Sequence, residues 1–428
     1  MIYTEAVDYI HSLLKFGIRP GLSGMDALLR LLGNPHKGLK YVHVAGTNGK
    51  GSTSTAISNV LCEAGYRVGL YTSPYVTHFL ERVQFMGKPV DEAVFAQSVD
   101  KVKAAVESLE KQGETITEFE ALTAAAFLCY KSLCCDVVVL EVGLGGRLDA
   151  TNIIDTPLVN VITSLSIDHS AILGNTIEEI AFEKCGTIKQ NGKLVCSYGQ
   201  PAGALDVIRK TVEDKSNTLV IPDESVVNII KSDVFGTEFT YKNNEYTVRM
   251  AGAHQVKNMT CVIEACDILR ESLEISQEHI TDGIAKTVLP ARVEVMCGKP
   301  LVILDGGHNE DGAKAFFDAA SPVIKAKQRL VVIAGMMGDK AVEKSLQPLM
   351  ECTDVFYAVT PENPRAMTAT ELSVVARKYV GEVYAIDNIS EAVNEACKKL
   401  DDDSALFVVG SLYLAGEVRH TLLEKFKK

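Results

Sequence analysis

The stretch KYVHVAGTNGKGSTSTAISNVLCEAGYRVGLY, residues 40–71, decides the architecture. It opens on one short apolar run, 40–45, and closes on another, 67–71. Both have strand length and the Val, Leu and Tyr content of strands covered on two faces. Residues 52–64, between them, read as a helix. Strand, turn, helix and strand in this order form a unit whose two strands run parallel.

Working outward, the same alternation continues. Residues 137–142 (VVVLEV) and 158–163 (LVNVIT) read as further buried strands, and 118–131 and 176–185 as helices. Thr176 with Glu179 has the spacing of a capping box, and Gly186 follows as a natural stop. The expected fold is α/β, a P-loop-containing, doubly wound and mostly parallel sheet. Residues 217–250 are more polar and read as an antiparallel annex. From residue 299 the pattern restarts with strands at 301–304, 330–334, 354–358 and 405–409 and helices at 312–319 and 389–399. A second, smaller, Rossmann-like α/β domain is expected there. Pro290 breaks helical continuity, so the expected organisation is a domain over 1–290, a hinge over 291–297 and a C-terminal domain over 298–428.

Composition narrows the function classes. The 428 residues exceed one ordinary core. Lys and Arg total 43 against 55 Asp and Glu, a formal charge of −12, which argues against a nucleic-acid partner held on a broad basic surface. An anionic substrate needs a local cluster of donors working against that field. The eleven cysteines show no CxxC and no repeated spacing with His, so they read as reduced, mostly buried thiols. Glu5 and Asp8 interrupt the apolar start of the chain, unlike a signal peptide, and no uncharged run is long enough to cross a bilayer. The expectation is a cytoplasmic protein, monomeric by default.

The segment Gly46-Thr47-Asn48-Gly49-Lys50-Gly51-Ser52-Thr53 follows a strand and opens a helix. Its glycines let successive N–H groups turn inward around phosphate oxygens, and Lys50 adds a point charge. The strict Walker spacing is not met, because Val44 stands where the first Gly would be and Gly51 separates Lys50 from the hydroxyls. ATP is the expected ligand; an unliganded Gly-rich turn is the alternative. Open α/β sheets bind ligands beyond the carboxyl ends of their strands, and three more polar features fall there. Ser73 follows the second strand, Glu141 closes the third, and Asp168-His169 lie beyond the fourth. A strand-end carboxylate such as Glu141 suits magnesium. Taken alone, His169 is more often a hydrogen-bonded loop histidine, and Ser73 an ordinary turn hydroxyl before Pro74.

With these residues in place, the sequence closely resembles the folylpolyglutamate synthase/dihydrofolate synthase family, relatives of the cell-wall Mur ligases. The resemblance runs through HVAGTNGKGST (43–53), YTSP (71–74), TEFE (117–120), LEVGLGGRLDATN (140–152), DH (168–169) and EKCG (183–186). It continues through HQVKN (254–258), LPARVE (289–294), LDGGHN (304–309), PENPRAM (361–367) and GSLYLAGEVR (410–419). It implies an ATP-dependent ligase that joins L-glutamate to a folate carboxylate through an acyl phosphate, with dihydropteroate as a further acceptor. Its reaction centre is expected in the cleft between two domains.

Carried over residue by residue, the resemblance implies that Asn258, Arg292 and Asp305 complete the ATP site. Ser73, Glu141 and His169 would hold Mg2+, and Lys184 would be carbamylated, against the plain alternative of a solvated lysine at a helix C-terminus. Cys185 stands where alanine is expected beside it, and Tyr75 where histidine is expected after Ser73-Pro74. Gly21, Leu22, Thr117, Phe119, Leu148, Asp149 and Ala150 resemble folate-contacting positions. Thr117 could equally cap a helix, and Phe119 could equally be core. His308 and Ser411 resemble positions linked to the incoming glutamate; either could be an ordinary strand-end or cap residue. The rival readings are a Mur-type ligase of cell-wall precursors and, from another class, a P-loop kinase or ATPase. Which of the two folate activities the chain has, and the glutamate chain length, are not legible in the residues.

Overall fold

The computed structural model describes residues 1–17, 19–338 and 342–426. Contacts divide them into two compact units, Met1–Val227 with Lys257–Thr287, and Asn228–Val256 with Val288–Lys428.

The first unit is built on eight strands: β1 (Lys40–Ala45), β2 (Val68–Tyr71), β3 (Val83–Phe85), β4 (Lys88–Pro89), β5 (Val137–Glu141), β6 (Val159–Ile162), β7 (Lys193–Cys196) and β8 (Thr218–Val220). Their order is β4-β3-β2-β5-β1-β6-β7-β8. β2, β5, β1, β6, β7 and β8 pair in parallel, and β3 and β4 add an antiparallel edge. The four strands read from the sequence are all present, within a residue at each end. β1 lies between β5 and β6, and Val44 is in register with both Glu141 and Val161. Three strand ends are thereby level at the point where the winding reverses, the place where such sheets bind ligands.

Strands β1, β2, β5 and β6 are buried on both faces, which accounts for their unbroken apolar composition. One core joins Tyr71, Val138 and Leu140 to the helices Tyr3–Ser12, Ser23–Leu31, Glu92–Glu110 and Glu118–Ser132. On another, Ala45, Ile162 and Cys196 pack with Ala181 and Cys185 of the helix Ile177–Cys185 and Ile208 of the helix Ala202–Asp214. The expected Thr176–Glu179 capping box is formed, with Glu179 N–H donating to Thr176 Oγ1 at 3.2 Å. The long helix Glu92–Glu110 does not stand out in the sequence reading, although Asp91 caps it by accepting from Ala93 and Val94.

The second unit holds two sheets. In the annex, β9 (Asn228–Asp233), β10 (Gly236–Tyr241) and β11 (Asn244–Val248) are antiparallel. β10 buries alternate residues, so this sheet has one apolar face to cover. Val234, in the turn between β9 and β10, and Ala251, after β11, share a core with Val293, Ile303 and Phe316. Residues 228–256 therefore group with the second unit, although they precede the hinge read at 291–297. β8 leaves the annex altogether and extends the first sheet. The larger sheet comprises β12 (Glu294–Gly298), β13 (Leu301–Leu304), β14 (Arg329–Ala334), β15 (Val355–Ala358), β16 (Glu382–Ala385) and β17 (Ser404–Val409). Its order is β12-β13-β17-β14-β15-β16, parallel except for β12.

The helix Lys50–Glu63, which starts at the phosphate loop, is seated on the helix Gln277–Ala285. Their closest approach is at Gly283, where a Cβ would lie 2.5 Å from both the backbone nitrogen and the Cα of Val60. In an exposed helix, Gly→Ala stabilises by about 1 kcal/mol. Here a rigid backbone blocks the methyl, and overpacking of this kind costs about 3 kcal/mol. Gly283→Ala should therefore lower the urea midpoint of unfolding. A midpoint equal to or above that of the parent would contradict the close approach.

Candidate active site

The phosphate loop is shaped by glycine at two places. Gly46 (φ +147°) leaves no room for a side chain, since a Cβ would sit 1.8 Å from Thr163 Oγ1. Gly49 (φ +90°) immediately precedes the helix, and its Cβ would meet Asn258 Oδ1 at 2.2 Å. Asn258 of the HQVKN block is thus already at the loop. The loop is also fastened to the segment after β6. Thr47 N–H donates to Ser164 C=O at 2.9 Å, and Thr47 Oγ1 accepts from Ser166 N–H at 3.1 Å. Ser164 Oγ donates to Asn48 C=O at 3.2 Å. Lys50 Nζ folds back on Thr47 C=O at 3.1 Å. Ser52 and Thr53 are buried in the first helical turn behind Gly51.

Beside this loop, Glu141 is buried at the end of β5, and its Oε2 accepts the Ser73 N–H at 3.0 Å. Glu141 and Ser73 are oxygen donors at neighbouring strand ends, the ligand type magnesium prefers, so the pair fits that ion. Among the described residues no three His, Cys, Asp or Glu side chains are gathered closely enough to hold a metal. A magnesium ion here would draw further ligands from phosphate and water oxygens. His169 is exposed, adopts φ +51° and immediately precedes the short helix Ser170–Leu173.

Lys184 is not a solvated helix cap. It is buried, and its Nζ donates to Gly46 C=O at 2.8 Å. Burial, and then the neighbouring Lys50 charge, lower its pKa to about 7, with Asp168 and Asp149 pulling the other way. The position is fixed by an interlock of two motif blocks. A Cβ on Gly146 would lie 2.8 Å from Glu183 O and 3.0 Å from Lys184 Cα, and one on Gly186 would lie 2.2 Å from Arg147 Cβ. Arg147 binds Glu183 through its backbone N–H (2.7 Å to the carbonyl) and its guanidinium (2.8 Å to Oε1). Asn152 Nδ2 spans Arg147 C=O and Gly186 C=O at 3.0 and 3.1 Å. Cys185 fits this setting as a buried apolar residue.

The proposed folate positions divide by their hydrogen bonds. Thr117 caps the helix Glu118–Ser132, with its Oγ1 and N–H both bound to Glu120 Oε2. Phe119 is only half-buried, lies 5.9 Å from the Tyr71 ring and faces Gly143 so closely that a Cβ there would be 2.5 Å from its Cζ. Asp149 Oδ2 accepts from Gly143 and Leu144 N–H, and Oδ1 from Thr151 N–H and Oγ1. These four donors saturate the carboxylate, whose pKa burial still holds above its usual value. Through these bonds Asp149 organises the loop over residues 143–151. Leu148 is half-buried and Ala150 buried beside it. The Gly21-Leu22 turn leads into the helix Ser23–Leu31, where a Cβ on Gly24 would meet Glu120 Oε1 at 2.8 Å. The turn and the TEFE block are therefore neighbours.

Two partners of this region carry no local sequence signal. Arg82 forms a mostly buried ion pair with Glu118 (2.7 Å) and sits 5.8 Å from the Phe119 ring centroid. His43 is fully buried in β1 and kept neutral by burial, with its pKa lowered to about 3. Thr151 Oγ1 gives its proton to Asp149 Oδ1 at 2.5 Å, so His43 Nε2–H must be the donor across the 2.9 Å to that hydroxyl. β1 and the GRLDATN block are joined through this relay.

In the second unit, Asp305 ends β13, with Oδ1 accepting Gly307 N–H at 2.8 Å and Oδ2 accepting Val293 N–H at 2.9 Å. Burial raises its pKa, and the Arg292 charge opposes the rise. Ser411 is a cap: its Oγ accepts Leu414 N–H at 3.1 Å at the head of the helix Leu412–Phe426. His308 lies in the loop after β13, and Gly306 of that loop abuts Leu412, where a Cβ would be 2.2 Å from Cδ2. The His308 and Ser411 loops thus leave adjacent strands at the same sheet edge.

Residues 44–266 match the Mur ligase middle domain, and residues 291–412 match the Mur ligase glutamate ligase domain. The chain is 36% identical over 435 residues to the dihydrofolate synthase/folylpolyglutamate synthase of Bacillus subtilis, covering 98% of this chain and 99% of that one. It is 35% identical to the folylpolyglutamate synthase of Lacticaseibacillus casei, covering 99% of each. The solved structure of Mycobacterium tuberculosis folylpolyglutamate synthase complexed with ADP and AMPPCP superposes with a TM-score of 0.88 at 27% identity, over 98% of this chain and 99% of that one. The chain belongs to the folylpolyglutamate synthase/dihydrofolate synthase family of the Mur ligases.

Proposed function

We infer that the protein is an ATP-dependent acid–amino-acid ligase that adds L-glutamate to a folate carboxylate. The observation that carries this reading is the match, over nearly the whole length of both chains, to relatives with that activity in their names. The interlock around Lys184 supports it, because it builds the GRLDATN block into the phosphate loop, which a simple kinase or ATPase would not require. The two folate relatives are almost equally similar and differ in name, so synthesis of dihydrofolate from dihydropteroate is proposed as a second activity of the same site. No helix among the described residues is long and apolar enough to cross a membrane. We place the enzyme in the cytoplasm as a monomer acting on small molecules.

A carboxylate is a poor acyl donor because oxide would have to leave. Transfer of the terminal phosphoryl group of ATP converts it to an acyl phosphate, whose leaving group is phosphate. The glutamate amine then attacks, and the tetrahedral intermediate collapses to amide. In this assignment Gly46 to Thr53 cradle the phosphates, and Lys50 offsets their charge. Asn258, Arg292 and Asp305 complete the nucleotide contacts. Magnesium, held by Glu141 and Ser73 with His169, would neutralise phosphate charge. Gly21, Leu22, Thr117, Phe119, Leu148, Asp149 and Ala150 form the folate side, with Phe119 offering a ring face. His308 and Ser411 serve glutamate, and His308 is the candidate to take the amine proton. Residues 1–290 act as the ATP-binding domain and 298–428 as the glutamate-ligase domain.

Lys184 is set up for carbamylation. Only a neutral amine adds carbon dioxide, and an amine whose pKa is lowered to about 7 has a substantial neutral fraction near neutral pH. The same Lys50 charge that disfavours the ammonium favours the carbamate anion.

Three outcomes are expected. Lys50→Ala and Glu141→Ala should each abolish glutamate-dependent ADP release, a loss of at least about 1000-fold, with the circular dichroism spectrum of the parent. Undiminished release from folded Lys50→Ala would remove the phosphate-loop assignment. With 13C-bicarbonate, the native enzyme should show a carbamate resonance that Lys184→Ala lacks. That resonance should fade below about pH 7 as the ammonium returns; its absence at every pH would reject the modification. Finally, purified enzyme given labelled glutamate should extend a reduced monoglutamyl folate and convert dihydropteroate. Failure with dihydropteroate alone would leave a single activity, and failure with both would overturn the ligase reading.

A further inference from the structure

Arg292 stands between two residues in the left-handed region, Ala291 (φ +54°) and Val293 (φ +49°). That region is unfavourable for residues with a Cβ, and most of all for a β-branched one. Such a conformation persists only where its surroundings over-determine it, and here they do. Ala291 N–H donates to Glu294 Oε2 at 2.9 Å, Ala291 C=O accepts Gly306 N–H at 2.8 Å, and Val293 N–H donates to Asp305 Oδ2 at 2.9 Å. The backbone on both sides of Arg292 is pinned.

One of these pins is itself held. Arg419, on the helix Leu412–Phe426, grips Glu294 with a two-pronged fork, Nε to Oε2 at 3.0 Å and Nη2 to Oε1 at 2.7 Å. Both side chains are largely withdrawn from water, at 23% and 15% exposure. Such geometry fixes direction as well as position. The pair also joins the LPARVE and GSLYLAGEVR blocks, and neither Glu294 nor Arg419 has a role in the reaction described above.

We propose that Glu294 and Arg419 are positioning residues for nucleotide binding, which hold the left-handed turn at Ala291 so that Arg292 meets ATP in one preset conformation. The inference rests on the assignment of Arg292 to ATP and adds what keeps it in place. Pinning the backbone in advance removes an ordering cost that binding would otherwise bear.

The test is a mutant cycle in the full-length protein, with KM for each substrate, kcat and Tm measured for Glu294→Gln, Arg419→Met, Arg419→Lys, Arg292→Ala and the Arg292→Ala/Arg419→Met double variant. Glu294→Gln and Arg419→Met should raise KM for ATP about tenfold while KM for the folate moves by less than about twofold. Arg419→Lys should fall between, since ammonium cannot form the fork. The double variant should be no worse than Arg292→Ala alone. If Arg419→Met folds poorly, the near-isosteric Glu294→Gln carries the test. An unchanged KM for ATP in folded Glu294→Gln, or an equal further loss on adding Arg419→Met to Arg292→Ala, overturns the proposal and leaves Arg292 assigned. A parental KM for ATP in Arg292→Ala removes that assignment, and the proposal with it.

Discussion

Two lysines of like charge meet at the mouth of the first sheet, and one of them is buried. Lys184 donates to the Gly46 carbonyl, while Lys50, four residues further along the same loop, bears on it electrostatically. A buried ammonium beside a second cation is an unfavourable arrangement that side-chain repacking could easily relieve. It persists because the backbone leaves no alternative: Gly146 and Gly186 bring two chain segments together with no room for a Cβ. The charge is relieved by losing the proton, by converting the amine to a carbamate, or by the arrival of phosphate. In a protein with a formal charge of −12, Lys50 thus supplies positive charge where an anion is to be bound.

The same economy of space explains why glycine recurs at the site. At Gly46 and Gly49 the positive φ and the neighbouring Thr163 and Asn258 exclude any side chain for independent reasons. At Gly283 the helix conformation is ordinary, and only the neighbouring helix excludes one. Through that contact the helix following Lys50 is set against the body of its unit. Positioning of the lysine is therefore a property of backbone packing several turns away as well as of the loop itself.

Much of this was legible in the residues. Continuous Val and Leu runs gave the central strands because a strand buried on both faces admits little else, and Thr176 with Glu179 marked a helix start because the capping box is a local bond. The annex was less legible. Residues 228–256 precede the hinge in sequence, but Val234 in the β9–β10 turn and Ala251 after β11 pack into the second core. The His43–Thr151–Asp149 relay and the Arg82–Glu118 pair were not legible at all. Their partners are 108 and 36 residues apart for the His43–Thr151 and Arg82–Glu118 bonds, and no periodicity encodes such a meeting.

Motif resemblance locates a site without saying which of its atoms remain to act. Asp149 and Ser411 both fall within motifs linked to substrate, yet the first has its lone pairs taken by its own loop and the second accepts from the helix it caps. A capping hydroxyl that accepts from its helix still has its own proton to donate. Phe119 differs from both, because it is only partly buried against the core and its neighbours are already in place. Counting the donors and acceptors each motif residue has spent internally separates those that build the site from those that can touch what enters it.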